Sequence, residues 1–64
     1  MNEQIELKDD MLYGAAAIGS YIGLPRRTIY HAVANDHIPH FKIGDSICAR
    51  KSTLTKWIAE QEAR

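Results

Sequence analysis

The chain has one cysteine, Cys48, so no internal disulfide can form, and that usage suits a reducing compartment. No apolar run approaches the roughly 20 residues that a membrane helix needs. The polar first ten residues do not read as a secretory leader. Cys-x-x-Cys pairs and zinc-finger spacings are missing. His31, His37, His40 and Cys48 are scattered rather than grouped, and no metal site is expected. There is no glycine-rich phosphate loop, no nucleophile with a base and an orienting partner, and no carboxylate pair suited to a cleft. With 64 residues there is room for one domain and one small core, too little to close an active site easily. No enzyme, and no cofactor, is expected.

An excess of either charge is also missing, since eight Lys and Arg balance eight Asp and Glu. The distribution is uneven, however. Residues 1–10 carry Glu3, Glu6, Asp9 and Asp10 against Lys8, which gives −3. Residues 11–58 carry Arg26, Arg27, Lys42, Arg50, Lys51 and Lys56 against Asp36 and Asp45, which gives +4. Glu60, Glu62 and Arg64 close the chain at −1. A basic middle between acidic ends favours an anionic partner, although a charged face is more often only a solvated one.

Met1 to Asp10 lacks a sustained period and reads as a loose, solvated acidic arm, with the domain proper spanning 11–64. Ala15, Ile18, Gly19 and Ile22 recur at helical spacing and predict a first helix from about Gly14 to Ile22. Gly19 reads as a packing device that lets another helix cross closely. Gly23 suits a left-handed helix end, and Pro25 suits the first turn of a second helix running to about Asn35. Ile29, Ala32 and Val33 then face the core, while Arg27, Tyr30, His31 and Ala34 face away, flanked by Arg26 and Thr28. His37 to Pro39 breaks the helix. Residues 40–43 and 46–49 alternate around Gly44-Asp45, a hairpin signal. A last helix starts near Lys51 or Ser52, with Leu54, Trp57, Ile58 and Gln61 as its apolar stripe and Trp57 as a core anchor. Cys48 reads as a small hydrophobe and Tyr21 as half-buried packing. Tyr13, Tyr21 and Tyr30 are not spaced as an RNA-stacking platform on a sheet. The expected fold is mainly α with a small β-hairpin.

The ordered set GLPRRTIYHAV (Gly23 to Val33), IPHFKIGD (Ile38 to Asp45), Leu54 and Trp57 resembles the small winged helix-turn-helix domains of the excisionase and MerR-like superfamily. The likeness spans about residues 12–58 without a gap. It implies helix, turn, helix, hairpin wing and helix, with the second helix entering the major groove of double-stranded DNA. On that resemblance Arg27 and His31 are candidates for base edges, each good bidentate arginine contact contributing ~1–3 kcal/mol of discrimination. Arg26, Thr28 and Tyr30 are candidates for phosphates. Lys42, Ser46, Arg50 and Lys51 would hold the flanking backbone or enter the minor groove.

Relatives often carry Arg where this chain has Cys48 and Pro where it has Arg50, so a backbone contact is expected to be absent or to shift to Arg50. Gly14 stands at the usual Ser or Thr cap and predicts a first helix more prone to fray. The resemblance further implies an excisionase of a phage or mobile element, acting in the bacterial cytoplasm at the nucleoid. Its partners would be attachment-site DNA, a recombinase or integrase, and other copies of itself on adjacent sites. Five cations on five phosphates give a salt slope of roughly −0.9 × 5, about −4 to −5. A small transcriptional regulator, or an interaction module that kept the fold and lost DNA binding, are the rival readings.

Overall fold

The computed structural model describes residues 6–64. Their order is α1 (Leu7–Asp10), β1 (Met11–Tyr13), α2 (Ala15–Ile22), α3 (Arg26–Ala34), β2 (Phe41–Ile43), β3 (Ser46–Arg50) and α4 (Lys51–Glu62). The result is a mixed α/β domain of four helices and one three-stranded antiparallel sheet, ordered β1-β3-β2. The expected hairpin is present as β2 and β3, but it is two thirds of a sheet. Tyr13, Leu12 and Met11 pair with Cys48, Ala49 and Arg50, which makes β3 the central strand. "Mainly α with a hairpin" therefore understates the β content.

The helices follow their apolar periods. Ala15 and Ile18 of α2, Ile29 of α3 and Leu54 of α4 are buried, joined by Leu12, Ile38 and Ala49 in one core. Ala32, Val33 and Trp57 pack on its margin, so Trp57 is a half-buried flank rather than a central anchor. At Gly19 an added Cβ would press into the Leu24 carbonyl oxygen and lie 3.4 Å from Ile29 Cγ1. The close crossing is thus made by the α2–α3 turn as well as by α3. Gly23 holds φ +80° and closes α2, donating its amide to Gly19 O at 2.7 Å while Leu24 does the same at 2.9 Å.

The far end of α3 carries a feature that the sequence reading overlooked. Asp36 adopts φ +57°, its amide reaching Val33 O at 3.0 Å and the His37 amide reaching Ala32 O at 2.7 Å. This is the hydrogen-bond pattern of a Schellman stop with Asp in the glycine position.

The expected loose arm is cut short. Residues 1–5 lie outside the described residues, but Leu7–Asp10 is a helical turn and Asp10 is only 4% exposed. Its Oδ2 accepts from Arg50 Nε at 2.9 Å and from Ser52 Oγ at 2.7 Å, and its Oδ1 accepts from the Ser52 amide at 3.0 Å. One carboxylate therefore ties the chain's beginning to the end of β3 and caps the start of α4.

Candidate nucleic-acid interface

Strand alternation sorts the candidate residues onto two sides of the sheet. Leu12, Ile47 and Ala49 face the helices and the core. Lys42 pairs with Ile47 across β2 and β3 and so shares the helical side, exposed. Ser46 and Arg50 belong to the opposite face, with Cys48 between them. Lys51 opens α4, its Nζ 6.0 Å from the centroid of the Tyr21 ring. Tyr21 itself is 42% exposed and bonds Thr55 Oγ1 at 2.7 Å, more surface than the half-buried packing expected of it.

The outward face of α3 holds Arg26, Arg27, Thr28, Tyr30 and His31, all exposed. Among the described residues the side chains of these five make no hydrogen bond or ion pair with the protein. Pro25 precedes the helix without a side-chain cap, and the Pro25 carbonyl is taken by the amides of Thr28 and Ile29. Two consecutive arginines thus stand at the positive end of a helix dipole with no acid in the first turn. Cations there oppose the favourable arrangement by ~0.3–1 kcal/mol each. A placement that costs stability and makes no hydrogen bond or ion pair among the described residues is where a binding surface is sought. Gly14 likewise leaves α2 without a side-chain cap.

Arg50 and Ser46 have other engagements. Arg50 is 43% exposed, its Nε held by Asp10. Ser46 Oγ lies 2.8 Å from the Tyr13 hydroxyl. The Ser52 hydroxyl, then the Ser52 amide and Arg50, hold the Asp10 carboxyl below its ordinary value of 3.8, against the opposing cost of burial. Seven of the nine expected residues, α3's five with Lys42 and Lys51, therefore lie on the helical side, and Ser46 and Arg50 do not. Asp10 was missed because nothing in its local sequence distinguishes it from Asp9.

Among the described residues no three His, Cys, Asp or Glu side chains gather as metal ligands. No helix among them is long and apolar enough to cross a membrane. Comparison with protein-family models, curated proteins and solved structures finds no match to this chain.

Proposed function

We propose that this chain is a non-enzymatic, sequence-specific binder of duplex DNA, with α2 and α3 as the helix-turn-helix and the β2–β3 hairpin as its wing. The observation that carries the reading is the exposed Arg26-Arg27 pair at the uncapped start of α3, without a side-chain partner among the described residues. A major groove admits such a helix, and its phosphates and guanines supply what the pair lacks. Arg27 and His31 face base edges, whereas Arg26, Thr28 and Tyr30 face phosphates. Lys42 flanks the contact from the hairpin, and Lys51 is the remaining cation of the set. Arg50 takes no part in duplex binding in this scheme, because it lies on the sheet face opposite Lys42 and the helices.

Few cations on one small domain give weak binding by a single copy, and several copies on neighbouring sites supply the strength. That fits an excisionase, which lines up along attachment-site DNA, bends it and directs a recombinase. Selection from random duplex DNA tests this. Closely spaced direct repeats with a bend are expected. An inverted repeat would indicate a two-fold regulator instead, and no enrichment at low salt would remove DNA binding altogether.

A further inference from the structure

The sheet face turned away from the helices is the part of the surface that duplex binding does not use. In register across the three strands it carries Tyr13, Cys48 and Phe41. Cys48 points outward yet is 0% exposed, whereas Tyr13 is 66% and Phe41 41% exposed. The two aromatic residues are the register partners of Cys48 on either side. The Tyr13 hydroxyl reaches diagonally over the central strand to Ser46 Oγ at 2.8 Å. A diagonal neighbour sits about 7–8 Å away, so the phenol lies along the sheet rather than standing off it. The ring remains two thirds exposed.

The cation of this face is Arg50, which is paired with Asp10 through one edge of its guanidinium. Arg50 stands two residues beyond Cys48 on the same face, and no strand residue there carries a carboxylate. Its Nε is fixed by Asp10, while its two Nη groups have no protein acceptor among the described residues. A cleft of about 220 Å³ opens beside Phe41, lined by Pro39, His40, Ala49, Arg50 and Thr53.

We propose that Tyr13 and Phe41 form a stacking platform for the unpaired bases of single-stranded nucleic acid, with Arg50 meeting a backbone phosphate at the cleft. The ligand must present flat faces to two exposed rings, one of them anchored by Ser46, and an anion to a held guanidinium. Unpaired nucleotides do both, and stacking tolerates any base. An apolar protein surface would match the rings but leave the guanidinium fork unanswered. This surface is separate from α3 and does not depend on the duplex reading.

The test is fluorescence anisotropy of labelled dT12 and of a labelled duplex with the intact chain, at low salt. Tyr13→Leu/Phe41→Leu keeps apolar side chains on either side of Cys48 and is checked for native circular dichroism. It should weaken dT12 binding by at least about tenfold while leaving the duplex within twofold. Tyr13→Phe, which loses only the Ser46 bond, should retain most dT12 affinity. Arg26→Glu/Arg27→Glu should bind dT12 like the parent. Failure of the parent to bind dT12, or equal binding by the double leucine variant, overturns the platform and leaves the aromatic row to a protein partner. Loss of dT12 binding in the double glutamate variant would overturn the second surface, because both ligands would then share α3.

Discussion

Gly19→Ala should destabilise this domain even though alanine is the better helix former. In an open helix the change would gain ~1 kcal/mol. Here the new methyl would enter the Leu24 carbonyl oxygen, and Ile29 Cγ1 lies 3.4 Å away. The oxygen belongs to backbone, so no rotamer change can relieve the clash. Overpacking of this kind costs ~1–3 kcal/mol. Moving the turn away also stretches the Gly23 and Leu24 amide bonds to Gly19 O, each contributing ~0.5–1.5 kcal/mol. Strain near the upper end plus one weakened bond, less the helix gain, leaves a net loss of ~2–3 kcal/mol. For a domain of this size that lowers Tm by roughly 10–20 °C. Thermal unfolding followed at 222 nm, with urea titration as a second measure, reads the effect. A variant as stable as the parent would refute the tight α2–α3 crossing.

The remaining predictions concern the ends of helices and the buried carboxylate. Asp36→Gly should raise stability by about 1 kcal/mol, since an L residue at φ +57° carries a cost that glycine does not; an unchanged or lower urea midpoint would contradict the Schellman stop. Because the folded-state value of Asp10 is lowered, its stabilising effect is fully present above its ordinary value of 3.8 and disappears as pH falls through the folded value. The parent's Tm should therefore drop below about pH 4, with part of that drop absent in Asp10→Asn. Arg50→Ala should lower thermal stability by unpairing Asp10, yet leave duplex affinity unchanged at temperatures where the variant is folded.

Much of the helical framework was legible from spacing. Ile18, Ile29 and Leu54 mark the inner faces of α2, α3 and α4, and Gly23 with Pro25 mark the corner. Gly44-Asp45 marks the hairpin, and Gly44 takes φ +63° there. What stayed hidden depends on partners distant in sequence. Met11–Tyr13 is too short for any period and becomes a strand only against Cys48–Arg50. Asp10 is buried only because Arg50 and Ser52, 40 and 42 residues later, supply its donors.

The same dependence governs the candidate sites. Tyr13 and Phe41 flank Cys48 only once β1 has joined the sheet, so the tyrosine spacing alone gave no sign of an aromatic row. The sequence reading set Ser46 and Arg50 beside Lys42, but strand alternation divides them between two faces. Arginines at the start of α3 were visible throughout. Their want of a partner among the described residues required the structure.

The central claim is that Arg26 and Arg27 begin a surface fitted to duplex DNA, and a salt titration of duplex affinity tests it most directly. With Arg50 on the opposite sheet face, the four cations Arg26, Arg27, Lys42 and Lys51 predict a slope of log K against log salt of about −0.9 × 4, or −3 to −4. Arg26→Glu/Arg27→Glu should lose nearly all duplex affinity. A parental slope near zero, or duplex affinity untouched in the doubly reversed variant, would contradict the account.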